Sequence, residues 1–208
     1  MPSYGILLTV HRNMNFFKSF FLLAFLGFFT TACNSQAVHT KAGHGTESAH
    51  HHGEASDAAT NSVFQAQLSN VTREYLHLKD ALVKSDAGTA KSAAASMQLA
   101  LSSVDMKLVT GDTHMEWMGY LKQLKSVTET AVASKSLEDV RQAFSAMSAP
   151  LAGAIKRFGG NDTELYLQHC PMAFNNAGGD WLSDVEAVRN PYFGDRMLKC
   201  GRVMETIE

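Results

Sequence analysis

The chain reads as mainly α-helical: an antiparallel four-helix bundle, followed by a glycine-rich C-terminal segment with a short β-hairpin-like pairing. Three observations predict this. Apolar residues recur at spacings of three and four from Val63 to Phe158, the mark of helices with one buried stripe. Short polar or glycine breaks interrupt the stripes three times, which suits an up-and-down bundle. Six of the 15 glycines then fall between Gly159 and Gly201, where the helical period is lost.

The first stripe is Phe64, Leu68, Val71, Tyr75, Leu78 and Leu82. Ser85-Asp86-Ala87-Gly88 ends it, and Asp86 is placed to cap the next helix. That helix is expected to carry Ala90, Ala94, Met97, Leu101, Val104 and Leu108 on one face. After Thr110-Gly111-Asp112, Met115, Met118, Leu121, Leu124 and Thr128 to Val132 outline a third helix. Ser136 and Asp139 form a capping-box-like start for a fourth. Its stripe is Val140, Phe144, Met147, Leu151, Ile155 and Phe158, with Pro150 inside as an expected kink or re-capping point and Gly159-Gly160 as the stop. Leu165 to Cys170 and Gly201 to Ile207 read as short strands. Pairing them antiparallel brings Cys170 and Cys200 together. Between them, Asn175 to Gly179 and Asn190 to Gly194 read as tight turns, and Trp181 to Asp184 as a helix start capped by Ser183.

The N-terminal third is an address and a tether. Residues 20–29, FFLLAFLGFF, form an uncharged run preceded by Lys18 and followed by Thr30-Thr31-Ala32-Cys33. Ten residues make a helix of about 15 Å, half of the roughly 30 Å that a bilayer core requires. A short apolar run, a basic flank and small residues before a cut describe a secretory signal. Met14 opens it, so residues 1–13 read as an over-called start and 14–32 as a lipoprotein-type signal peptide, with Cys33 as the lipidated residue. Ordinary cleavage after Ala32 or Ala37 is the alternative. Either way the chain is exported. A lipid on Cys33 would hold it to a membrane in the periplasm or outer membrane of a Gram-negative bacterium. Residues 33–61 then form a flexible tether with no large apolar residue except Val38. Five of the nine histidines lie there: His39, His44, His50, His51 and His52. Imidazoles on such a strand bind Zn(II) or Cu(II) weakly. Residues 62–208 are the folded, helical domain.

Composition narrows the function classes. With 18 basic and 20 acidic residues the formal charge is −2, which gives no nucleic-acid partner a positive field. No P-loop, GxGxxG, HExxH or GxSxG is present, so the reading is of a protein that is not an enzyme. Setting Cys33 aside, two of the three cysteines remain, Cys170 and Cys200. In an exported chain such a pair is either a disulfide or a pair of metal ligands. Soft donors surround it: His169 and Met172 on one side, Met197 on the other. Thiolate and thioether groups select Cu(I). The metal set is therefore Cys170, Cys200, Met172, Met197 and His169. His114-Met115-Glu116-Trp117-Met118 is a second, weaker cluster that reads as core packing, and His77 as a partly buried, satisfied histidine. If the cysteines form a permanent disulfide instead, the segment is a clamped interaction module with Trp181, Tyr192 and Phe193 as a docking surface.

Several segments together resemble a known family. They are Tyr75 to Leu82 with Asp86, and Arg141 to Phe158 with Phe144, Ser148 and Leu151. The most specific follow in order: Cys170-Pro171-Met172-Ala173, Trp181-Leu182-Ser183, Asn190-Pro191-Tyr192-Phe193-Gly194 and Met197-Leu198-x-Cys200-Gly201. The set resembles a bacterial domain of unknown function. That domain occurs alone in exported lipoproteins and fused to periplasmic adaptor subunits of copper and heavy-metal efflux pumps. The resemblance covers roughly residues 62–208. It implies metal handling, with Cys170, Met172, Met197 and Cys200 as the motif residues whose side chains bind metal. It implies an efflux-pump adaptor as partner. The chain departs from the pattern at Gly178-Gly179-Asp180, where the family has Gly-Ala and a bulky residue. That change touches a turn and not a donor.

Overall fold

The computed structural model describes residues 53–208, with side chains from residue 61. The signal segment, Cys33 and the five tether histidines lie outside the described residues. Four long helices come first: α1 Gly53–Val83, α2 Ala87–Ser103, α3 Gly111–Ala133 and α4 Leu137–Phe158. A small antiparallel sheet follows, made of β1 Leu165–Cys170, β2 Gly179–Ser183 and β3 Arg202–Ile207 in the order β2-β1-β3. Helix α1 packs on α2, α2 on α3, α3 on α4, and α4 back on α1; β2 lies against α4 and α1. Among the described residues, no helix is long and apolar enough to cross a membrane.

The stripes of α1 and α4 are buried as their spacing predicts. Three boundaries and one face differ. Helix α1 starts at Gly53, so residues 53–61 of the expected tether have helical backbone. Alanines and Glu54 in that stretch are good helix formers, and a nucleated helix extends at little cost. Helix α2 stops at Ser103, short of the expected Leu108. Val104 is extended there, and the Asp105 side chain accepts from Lys107 N to start a separate 3-10 turn, Met106–Leu108. Helix α4 runs through Pro150 from Leu137 to Phe158 with no new cap. On α3 the buried face is Trp117, Leu121, Leu124, Thr128 and Ala131. Met115 points to solvent at 69% exposure, because Trp117 has the larger surface to bury.

The α1–α2 corner shows how local chemistry sets direction. Asp86 N donates to Ala81 O at 2.9 Å and Ser85 N to Leu82 O at 3.0 Å, with Ser85 left-handed at φ 55°. This is a Schellman closure of α1. Asp86 then starts α2, accepting from Thr89 N at 2.9 Å and Thr89 Oγ1 at 2.8 Å. Ser136 and Asp139 form the expected capping box of α4.

Aromatic contacts run along the core. At one end Phe64 meets Trp117 at 5.1 Å and Phe158 at 5.5 Å; further along, Tyr75 stacks on Phe144 at 4.7 Å. Next to the sheet, Tyr192 packs against Trp181, Phe174 and Phe144. Each fully buried large apolar side chain is worth about 1.5–3 kcal/mol. The N-terminal helices and the C-terminal segment therefore share one hydrophobic core.

Candidate functional site

Strand β1 is the central strand of the sheet. Cys170 ends it and is fully buried, opposite Gly179 of β2. On the other edge, β3 pairs with β1 through His169 and Arg202, which sets Cys200 just before β3 and beside Cys170. The two Sγ atoms lie 3.1 Å apart, both as free thiols. The antiparallel pairing read from the sequence thus forms, and it joins the two cysteines as expected.

A buried polar frame fixes Cys200. Asn190 is fully buried. Its Nδ2 donates to Cys200 O at 2.7 Å, while its Oδ1 accepts from Tyr192 N at 2.8 Å and Phe193 N at 3.2 Å. Cys200 N donates to Met197 O at 2.9 Å. The loop is pinned to the helices by Arg141, which is buried on α4. Its Nε donates to Pro191 O at 2.9 Å and its Nη2 to Ser85 Oγ at 3.0 Å. Burial lowers the Arg141 pKa, and Glu138 opposes that shift. Gly201, at φ 145°, makes the turn into β3; a Cβ there would sit 2.9 Å from both His169 O and the Trp181 ring.

The opposite side of the pair is set by another turn. After Pro171 and Met172 comes a single helical turn, Ala173–Asn176, in which Phe174 (φ 52°, ψ 53°) and Asn175 (φ 58°, ψ 43°) are left-handed. Asn176 follows at φ 68°. Left-handed backbone costs roughly 1–2 kcal/mol per ordinary residue, less for asparagine. The Phe174 ring meets Tyr192 at 5.0 Å, and that contact offsets part of the cost.

The donors expected around the cysteines divide. Met172 and Met197 line one cavity of about 720 Å³ together with Phe174, Tyr192, Phe193 and Arg196. Cys200 lines another, of about 220 Å³, with His169, Pro171, Gly201 and Arg202. His169 Nδ1 lies 2.6 Å from Asp180 Oδ1, its cross-strand partner. Among the described residues, no three His, Cys, Asp or Glu side chains converge. The Cys170 thiol beside it pushes the Cys200 thiol up, partial burial adds to this, and the Met172 backbone N–H opposes it. The Cys200 thiol therefore holds its proton more firmly than a cysteine in water would.

Residues 71–163 match the family model of a protein of unknown function, DUF3347. The match runs from within α1 through α4 and stops short of β1. The DUF3347 stretch thus carries Tyr75, Lys79 and Arg141, while both cysteines follow it. No curated protein and no solved structure matches the chain.

Trp117 is core, and His114 Nδ1 lies 3.1 Å from Met106 O. His77 is exposed, its ring 3.4 Å from Glu74, because it lies off the stripe. Trp181 to Ser183 belong to strand β2 and not to a helix. Trp181 and Tyr192 are buried, so they form no docking surface. The sequence reading missed three buried polar anchors besides Arg141. Lys79 Nζ, 2% exposed, meets Asp184 at 2.7 Å and Asp80 at 3.1 Å. Tyr75 Oη meets Ser148 Oγ at 2.7 Å and accepts from Leu182 N at 3.1 Å. Burial drives the Tyr75 phenol far above its ordinary range. Asn190 is the third. Lys79 and Tyr75 lie on or beside the apolar stripe of α1, the one signal that pointed to them.

Proposed function

We propose that this chain is an exported lipoprotein that binds copper as Cu(I), or another soft heavy metal, and buffers it or delivers it to an efflux system. One observation carries the reading: two free thiols 3.1 Å apart in a turn fixed by buried hydrogen bonds. Two thiolates and nearby thioethers suit Cu(I), whereas a structural Zn(II) site takes four ligands. Cys170 and Cys200 are the central ligands. Met172 and Met197 line a separate cavity and would have to turn toward the pair to complete the shell, and His169 reaches it only by leaving Asp180. The ring of contacts from α1 to α4 supports an antiparallel four-helix bundle as the scaffold.

The histidine tether, from His39 to His52, would collect Zn(II) or Cu(II) at low affinity. Cys33 would carry the lipid, holding the protein in the periplasm or at the outer membrane. The resemblance to domains fused to efflux adaptors supports such an adaptor as partner. The same thiol proximity favours a second reading, a non-metal module clamped by a Cys170–Cys200 disulfide, worth about 2–4 kcal/mol.

An anaerobic Cu(I) competition titration of the reduced full chain separates the two. Tight one-to-one binding that vanishes in Cys170→Ser/Cys200→Ser supports metal handling. Equal Cu(I) uptake by the wild type and that double variant removes the thiolate site and leaves the clamped module.

A further inference from the structure

The two thiols are not equivalent. Cys170 is fully buried at the end of the central strand, whereas Cys200 is half-buried and lines the 220 Å³ cavity. That cavity is smaller than the ~300–1,000 Å³ of a whole-ligand pocket. It admits the sulfur end of a small molecule and leaves the rest in solvent. Arg202 lines it as well and supplies a positive charge for an anionic visitor. Gly201 contributes no side chain to the opening, and a Cβ there would press on His169 O and Trp181. Asn190 and Met197 hold the Cys200 backbone in place. Cys170 waits 3.1 Å behind it.

We propose that Cys170 and Cys200 form a thiol–disulfide exchange site, with Cys200 as the attacking sulfur, Cys170 as the resolving sulfur, and an anionic low-molecular-weight disulfide as the oxidising substrate. The Cys200 sulfur, having given its proton to solvent, attacks one sulfur of R–S–S–R. That S–S bond breaks, a Cys200–S–S–R bond forms, and RS⁻ leaves to take up a proton. The Cys170 sulfur, likewise deprotonated, then attacks Cys200 Sγ. The mixed disulfide breaks and the second RS⁻ leaves. Two cysteine thiols are oxidised to one disulfide, and one R–S–S–R is reduced to two R–SH. This activity requires no metal. It regulates the proposed metal site, because sulfurs joined in a disulfide no longer act as thiolates toward Cu(I).

The test uses the full chain in a Cys33→Ser background, so that two thiols remain, reduced and metal-free, with glutathione disulfide as probe. Intact mass follows the products. The wild type is expected to lose two hydrogens and retain no glutathione. Cys170→Ala is expected to stop with one glutathione on Cys200. Cys200→Ala is expected to react at least about tenfold more slowly, since access controls the rate. A measurement on unsubstituted cysteines guards against misfolded variants: limiting iodoacetamide followed by peptide mapping. Native protein should label Cys200 about tenfold over Cys170, falling to about equal in 6 M urea. Equal labelling of the native pair, or a wild-type glutathione adduct that never resolves, overturns the proposal. Neither result alters the Cu(I) titration, so the two readings fail separately.

Discussion

Replacing Asn190 by alanine removes three hydrogen bonds from a fully buried position, those to Cys200 O, Tyr192 N and Phe193 N. Each is worth about 0.5–1.5 kcal/mol net, and a buried group left unpaired costs more. Phe193 is only half-buried, so water relieves one of the three. The expected loss is about 2–4 kcal/mol. Asn190→Asp keeps both acceptor bonds but buries a carboxylate and sets one of its oxygens against Cys200 O, so its expected loss is at least that of the alanine variant. Urea unfolding followed by tryptophan fluorescence reads both. At an m of about 2 kcal/mol/M, the alanine variant shifts the midpoint by about 1–2 M. Cys200 alkylation should also accelerate more than that of Cys170, because its backbone tether is gone. An alanine variant within about 0.5 kcal/mol of wild type would refute the idea that Asn190 builds this turn.

Tyr75→Phe should cost about 1–3 kcal/mol in urea unfolding, because it leaves Leu182 N without its acceptor in the core. Gly201→Ala should cost about 2–4 kcal/mol and lower the Tm, since φ 145° and two contacts at 2.9 Å both oppose a Cβ. Acid should unfold the protein partly through its caps. The Ser136 hydroxyl and backbone hold the Asp139 carboxyl below its usual range, and Thr89 N–H and hydroxyl do the same for Asp86. Burial raises the Asp184 carboxyl, but the Lys79 hydrogen bond and charge outweigh it, so it too is lowered. A depressed folded pKa gives stability that is full above the unfolded value of about 3.9 and lost as pH falls through the folded one. Asp139→Asn should therefore lose less stability than wild type between pH 5 and pH 2.5, as read by urea midpoints.

The helices were legible because burial is one-sided. On α1 the stripe from Phe64 to Leu82, and on α4 that from Val140 to Phe158, are buried residue by residue. On α3 Trp117 takes the buried position while Met115 is left exposed and Met118 packs at the edge of the core. Strand β2 left no period to read: Trp181, Leu182 and Ser183 are all buried, so the alternation of a half-buried strand is absent. The Cys170–Cys200 contact followed from pairing two short strands. The frame that holds it did not, because Arg141 and Asn190 resemble surface residues in composition. Only the fold shows that their partners include backbone carbonyls brought from 10 to 59 residues away.

The strand order β2-β1-β3 also has a consequence for synthesis. Of the three strands, the central one is made first and its outer neighbour last. As the chain emerges in order, Cys170 appears 30 residues before the sulfur that will lie against it. Until β3 docks, one edge of β1 is bare and the most deeply buried thiol of the finished protein is open to any oxidant. Closing the sheet therefore turns the exposed sulfur into the sheltered one and hands the outward position to Cys200. The order in which the two sulfurs meet solvent in the nascent chain is the reverse of their order of exposure in the folded protein.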